Sequence, residues 1–254
     1  MKDKIVLITG ADGGIGRETT KGIARKGARI IMACINKEEA LPVCEEIKRD
    51  TGNNDIEIME IDLSRLDSVR HFADDFSKKF DHLDVLINNA GIFTMERKET
   101  ADGFELTMGI NYFGPFLLTN LLLPLLKKSH SARIVNVSSN AFMQGKINID
   151  DINMKKGFQG FKAYSASKYA VVLFTRELAE RLKGSNVTVN AVHPGHVATN
   201  IWTFEKGYMA YVSKILKRFM ATPEEGAKTS IYVATSEEVE GISGEYFEKC
   251  SIKD

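Results

Sequence analysis

The sequence predicts an α/β domain built on a doubly wound parallel sheet of about seven strands, with helices on both faces. Apolar runs of strand length alternate along the chain with longer amphipathic stretches, the pattern that lays helices over a parallel sheet. Within each run the apolar residues follow one another instead of alternating with polar ones, as strands covered on both faces require. No repeat, low-complexity tract or linker interrupts this order across the 254 residues, so residues 1–254 read as one domain.

The first strand, residues 5–9, runs into Thr9-Gly10-Ala11-Asp12-Gly13-Gly14-Ile15-Gly16 and then a helix over 14–26. A glycine-rich turn between strand and helix lets backbone amides approach a pyrophosphate. Gly10 serves the tight turn, and Gly14 and Gly16 serve close approach and helix packing. The second strand, 28–33, leads through Cys34, Ile35, Asn36 and Lys37 into a helix over 37–50. The third, 56–61, ends in Asp62-Leu63, where a carboxylate would meet an adenine amine or simply stand solvated. After a helix over 65–79, the fourth strand, 83–87, ends in Asn88-Asn89-Ala90-Gly91, small residues and amides beside the same crevice. A helix over 102–128 carries Asn111 in an apolar stretch, where an amide calls for hydrogen-bond partners. The fifth strand, 133–137, ends in Ser138-Ser139, and the next helix, 163–183, begins with Tyr164-Ser165-Ala166-Ser167-Lys168. The sixth strand, 187–192, leads into His193-Pro194-Gly195; a helix over 223–234 and a short seventh strand over 244–247 close the chain.

Lys+Arg and Asp+Glu both number 34, a formal net charge of +0, so no bulk field draws nucleic acid or another polyanion. Three cysteines, Cys34, Cys44 and Cys250, cannot complete a disulfide framework and lack zinc spacing, which points to a reduced, cytoplasmic setting. His193 and His196 have no cysteine or carboxylate cluster near them in sequence, and no metal site is expected. The chain opens Met1-Lys2-Asp3-Lys4 and enters strand-like sequence at once, so neither a signal peptide nor a transmembrane anchor is expected. The most apolar window, 113–126, contains Gly114, Pro115, Asn120 and Pro124 and falls short of the ~20 apolar residues of a membrane span. It reads as a buried helix.

Tyr164 and Lys168, four residues apart, project from one helix face. A neighbouring ammonium favours the phenolate, so a phenol that ordinarily titrates near ~10 is expected to become more acidic and to serve as a proton donor and acceptor. The spacing alone is common on solvated helices. Its place downstream of a glycine-rich turn and a Ser-Ser strand end is what gives it weight.

In this order the motifs resemble those of the short-chain dehydrogenase/reductase family, over residues 4–247. More narrowly the chain is similar to the retinol-dehydrogenase-like branch, through Thr100-Ala101-Asp102-Gly103-Phe104-Glu105, Ala132-Arg133-Ile134-Val135-Asn136-Val137-Ser138-Ser139, Leu173-Phe174-Thr175-Arg176-Glu177-Leu178-Ala179 and Val192-His193-Pro194-Gly195. Ser139 and Tyr164 also stand 25 positions apart, matching the longer insertion of that branch. The resemblance implies a single-domain Rossmann fold and hydride transfer between a nicotinamide and a carbonyl or alcohol carbon. It implies a tetrad in which Ser139 bonds the substrate oxygen and Tyr164 is the general acid/base. Lys168 lowers the phenol pKa and holds the ribose, and Asn111 holds a water that relays protons; Ser138 is structural. Cofactor contacts carried over are Gly10, Asp12, Gly13, Gly14, Ile15, Gly16, Asn36, Lys37, Asp62, Leu63, Asn89, Ala90, Gly91, Tyr164, Lys168, Pro194, Gly195, Val197 and Thr199, the last positioned for the carboxamide.

Cofactor choice departs from the branch. Its members commonly end the second strand Ala-Cys-Arg, with Arg on the 2′-phosphate of NADP, whereas this chain has Ala33-Cys34-Ile35. The acidic residue typical of NAD-preferring members is missing as well. NADP is favoured because no carboxylate at this strand end repels it, with Lys37 or Arg17 left to reach the phosphate; NAD stays open. The family's substrate lid corresponds to about 196–222, where Trp202, Phe204, Tyr208, Met209, Tyr211, Leu216 and Phe219 suit a lipophilic alcohol, aldehyde or ketone or else cover the core. Phe93, Met95, Phe142 and Met143 are expected near the crevice. Homo-oligomers are common in the family through helices corresponding to 102–128 and 161–183, but those faces also serve the core. A ketoreductase for a non-retinoid substrate and a non-catalytic dinucleotide sensor are the alternatives.

Overall fold

A computed structural model of the chain describes residues 1–195 and 222–253. Its strands are β1 (Ile5–Thr9), β2 (Arg29–Cys34), β3 (Ile56–Glu60), β4 (Val85–Asn88), β5 (Ala132–Val137), β6 (Val187–His193), β7 (Tyr246–Glu248) and β8 (Ser251–Ile252). The helices are α1 (Gly14–Ala24), α2 (Lys37–Thr51), α3 (Leu66–Lys79), the single turn α4 (Leu106–Met108), α5 (Gly114–Leu126), α6 (Gly160–Arg181) and α7 (Pro223–Thr235).

The sheet runs β3-β2-β1-β4-β5-β6-β7-β8. Every pairing from β3 to β7 is parallel. Strand order reverses between β1 and β4, which pair Val6 with Val85 and Ile8 with Ile87. Loops leaving the C-terminal ends of these two strands turn in opposite directions and leave a crevice between them, where ligands bind in sheets of this kind. The predicted doubly wound architecture is therefore observed, with one addition. An eighth strand folds back antiparallel on β7, through a turn at Lys249 and Cys250, both at positive φ. A two-residue strand with half-exposed Ile252 carries no apolar run by which sequence could announce it.

Apolar side chains fill both faces of the sheet. On one, Leu7, Ile31, Leu86 and Ile134 pack under α3 and α5; on the other, Val6, Ile8, Met32 and Ile87 pack under α1, α2 and α7. The edge strand β3 departs from the expectation of two covered faces. Ile56 is buried, but Glu57, Ile58 and Met59 are only partly covered and Glu60 is exposed, because an edge strand lacks a neighbour on one side. Caps end the helices where local chemistry favours it: Asn36 accepts from the Glu38 and Glu39 amides to start α2, and Thr222 and Glu225 form a reciprocal capping box on α7.

The helix expected over 102–128 is broken up. It starts at Leu106, where the Glu105 carboxylate caps the Thr107 and Met108 amides, and passes through a π turn over Gly109–Phe113 before α5. The helical run Leu106–Leu126 is 21 residues long and, by length and composition alone, apolar enough to cross a membrane. The expectation that it falls short considered only 113–126; the preceding turns supply the missing length. Its Leu118, Leu122 and Leu126 are wholly buried in the core beneath α3.

Candidate active site

The crevice at the strand-order reversal is a cleft of about 360 Å³. Gly10, Asp12, Gly13, Gly14, Ile15 and Gly16 form one wall, Asp62, Leu63, Asn89, Ala90 and Gly91 another, and Tyr164, Lys168 and Pro194 its inner end. Gly16 shows why the loop needs glycine: a Cβ there would lie 1.9 Å from the Gly10 carbonyl oxygen and 2.5 Å from Asn89 Nδ2. Gly10 and Gly14 sit at φ of 61° and 48°, the left-handed region that side chains disfavour. Gly13 stands at the N-cap of α1 without a side-chain cap, so the first amides of the helix face the cleft for an anion to meet. A dinucleotide's pyrophosphate fits this cradle.

Asn89 fastens the cradle. Its Nδ2 donates to the Thr9 and Gly10 carbonyls at 2.8 and 3.1 Å, while the amides of Asn89 and Ala90 donate to Thr9 Oγ1. The end of β4 is thus tied to the glycine turn. Asp62 is turned partly inward, accepting from Ser64 N and Ser64 Oγ. Asn36 and Lys37 do not line the cleft: Asn36 is spent on capping α2, and Lys37 opens into an adjoining groove, its amide bonded to Glu60. Arg17 is paired with Glu46. Asp12 reaches toward the end of β2 from the glycine turn: burial, and after it the charge of this carboxylate, push the Cys34 thiol's pKa up. The end of β2 therefore does meet a carboxylate, contrary to what the strand's own residues indicate. Val197 and Thr199, like all of 196–221, lie outside the described residues, and Gly195 stands just beyond Pro194 without lining the cleft.

Tyr164 and Lys168 line the inner end, Asn111 lies behind Gly91, and the serine that lines the cleft is Ser138 instead of Ser139. Tyr164 is 5% exposed, with the Ser139 hydroxyl close enough to bear on its phenol. Lys168 Nζ lies 5.7 Å from the centre of the Tyr164 ring and donates to the Val137 carbonyl at 3.0 Å. Burial lowers the Lys168 pKa to about 8. The phenol is not acidified as expected: burial pushes the Tyr164 pKa up, and the nearby Ser139 hydroxyl offsets this only in part. Asn111 lies in the π turn and is engaged on every side. Its Oδ1 accepts from the Ile92 amide, and its Nδ2 donates to the Ile92 carbonyl and Ser167 Oγ. These bonds clamp this helix to the segment after β4. Gly91 lies against both Asn111 and Lys168, each 3.3 Å from where a Cβ would stand. Ser138 donates to the Lys168 carbonyl, a structural bond.

Residues that sequence reasoning did not assign also line the cleft: Ala33, Ile61, Ile92, Ile110 and Val137. All are apolar residues at or near strand and helix ends, which carry no chemical signature in sequence. Phe93 meets Tyr164 edge to face at 5.8 Å, and Phe142 packs on Tyr246 at 4.8 Å. Met95 and Met143 are each 64% exposed.

A doubly wound sheet whose crevice joins a glycine cradle to buried Tyr and Lys side chains, with a serine pair at the adjoining strand end, defines a class, the NAD(P)-dependent oxidoreductases. The model of the short chain dehydrogenase family matches residues 4–207, and the chain belongs to that family. Retinol dehydrogenase 14 of Homo sapiens is 45% identical over 98% of this chain and 79% of its own length. Retinol dehydrogenase 11 of Homo sapiens is 44% identical over 98% and 78%. Among solved structures, a short chain dehydrogenase from Shigella flexneri 2a str. 301 complexed with NADP superposes with a TM-score of 0.78 at 26% identity, covering 99% of this chain and 98% of that one.

Proposed function

We propose that the protein interconverts a lipophilic alcohol and its aldehyde or ketone, with NADP(H) as the cofactor. The observation that carries this reading is buried Tyr164, close to the Ser139 hydroxyl, beside buried Lys168 at the inner end of a glycine-lined cleft. The bound cofactor would supply or accept the hydride. Tyr164 gives its phenolic proton to the carbonyl oxygen in reduction and takes it back in oxidation. Ser139 Oγ donates to the same oxygen as negative charge builds there. With a pKa of about 8, Lys168 remains mostly protonated at neutral pH, and its charge offsets the phenolate that forms beside it. Asn111 keeps this helix register by clamping Ile92.

The relatives named retinol dehydrogenases and the ring of Phe93 set against Tyr164 support a lipophilic substrate. The neighbour complexed with NADP supports that cofactor. NAD is the second reading on the cofactor, favoured by the Asp12 carboxylate at the end of β2, which opposes a 2′-phosphate. Free thiols at Cys34, Cys44 and Cys250 support a reducing, cytoplasmic compartment. A non-catalytic sensor has no need of a complete tetrad, and here all four positions are filled.

The test is cofactor absorbance during turnover, with NADPH and NADH in parallel, against retinal, long-chain aldehydes, steroid ketones and small ketones. Tyr164→Phe is expected to abolish turnover while leaving cofactor binding, read by fluorescence titration, near wild type. Persistent turnover in that variant refutes the assignment.

A further inference from the structure

The last residues of the chain reach the reaction centre from outside the tetrad. Tyr246, on β7, is buried, and its hydroxyl donates to Asn140 Oδ1 at 3.1 Å. Asn140 Nδ2 in turn donates to Glu248 Oε1 at 3.3 Å. The other Glu248 oxygen takes Lys253, brought back by β8, and Oε1 faces His193 Nε2 at 3.8 Å. Both ends of this string abut the cleft in sequence. Asn140 follows Ser139 directly, and His193 directly precedes Pro194, which lines the inner end.

We propose that Tyr246 is a positioning residue for this reaction, setting Ser139 through Asn140, with Glu248 bracing Asn140 and the His193–Pro194 corner together. Ser139 sits where β5 gives way to a single 3-10 turn over Asn140–Gln144. Its own Oγ holds that turn by accepting from the Ala141 amide at a long 3.3 Å. Backbone bonds from the Phe142 amide to the Ser139 carbonyl and from the Gly145 amide to the Phe142 carbonyl close the turn, and its placement against the sheet is set by what grips the next residue: both ends of the Asn140 amide are held from β7. The Phe142–Tyr246 ring contact fixes the far side of the same turn. Burial, and the Glu248 and Tyr164 charges, push the Tyr246 pKa up, so the phenol stays a donor throughout the working pH range. Hydrogen-bonded support of this kind determines whether a catalytic group is held tightly enough to work.

The inference rests on the tetrad reading, so Tyr164→Phe is run beside it. Tyr246→Phe keeps the ring contact and removes the donor. The expected result is a fall in kcat of about tenfold, with KM and cofactor Kd within about twofold and a larger primary isotope effect from cofactor deuterated at the transferred position. Asn140→Ala is expected to show the same loss, and the double variant no more than either alone. Wild-type kcat in Tyr246→Phe, or losses that multiply in the double variant, overturn the proposal. If Tyr246→Phe does not fold, Asn140→Ala and Glu248→Gln are read by the same kcat, KM and isotope criteria, and wild-type kcat in both overturns it. Active Tyr164→Phe would instead overturn the tetrad reading itself.

Discussion

Replacing Lys168 with Met is expected to remove activity and, in the cofactor-free protein, to raise stability. The Lys168 ammonium is buried against the Val137 carbonyl, and burial lowers its pKa from 10.5 to about 8. Holding it protonated at neutral pH therefore costs roughly 3 kcal/mol relative to the unfolded chain. Met has similar length and no charge to desolvate, but it forfeits one hydrogen bond worth about 1 kcal/mol. The net gain is about 2 kcal/mol, a rise in Tm of roughly 4–8 °C for a chain of this size. The pH dependence follows from the sign. Because the folded pKa lies below the unfolded one, the cost is full below the folded value, fades as pH rises from about 8 to 10.5, and is gone above. Wild-type stability gains on the variant through that window and the two curves cross, the variant ending about 1 kcal/mol the less stable because only its lost hydrogen bond remains. Urea unfolding of both proteins across the window, with the difference taken at each pH, measures the effect. A variant no more stable at neutral pH, or a difference that does not change with pH, would refute the reasoning.

Two further outcomes are expected. Gly16→Ala places a methyl 1.9 Å from the Gly10 carbonyl and 2.5 Å from Asn89 Nδ2, so the cradle must open; cofactor Kd by fluorescence titration is expected to rise at least ~tenfold, with about 1–3 kcal/mol lost in urea unfolding. Asp84, under the sheet, accepts from Lys4, the Ile5 amide and Ser129. Burial alone would push its pKa up, but these donors outweigh it and hold the carboxyl below its usual 3.8. Its stabilisation is present above the unfolded pKa and lost as pH falls through the folded one. Asp84→Asn is expected to cost about 2–3 kcal/mol at neutral pH and to flatten the acid limb of stability against pH, read by thermal unfolding.

Much of the fold was legible in the residues themselves. Continuous apolar runs such as Ile5–Thr9 and Val187–His193 state their burial on two faces, and the spacing of helices between them leaves few topologies. The glycine turn and the Tyr164–Lys168 spacing were readable for the same reason: backbone approach and helix geometry are local. Local rules could not say how side chains spend their hydrogen bonds. Asn36 caps a helix and Asn89 ties a strand end to the glycine turn, although both read in sequence as cofactor contacts; Asn111 reads as an amide in need of partners, and only the fold names Ile92 and Ser167 as those partners. Nor could they set charge. Whether Lys168 acidifies Tyr164 depends on the balance of burial against a neighbour's field, and burial exists only once the chain is folded. The sequence alone determined the architecture and the residue types of the site. The tertiary structure decided that Asp12 meets Cys34 and that Tyr246 meets Asn140, because residues distant along the chain become neighbours only through the packing of the sheet.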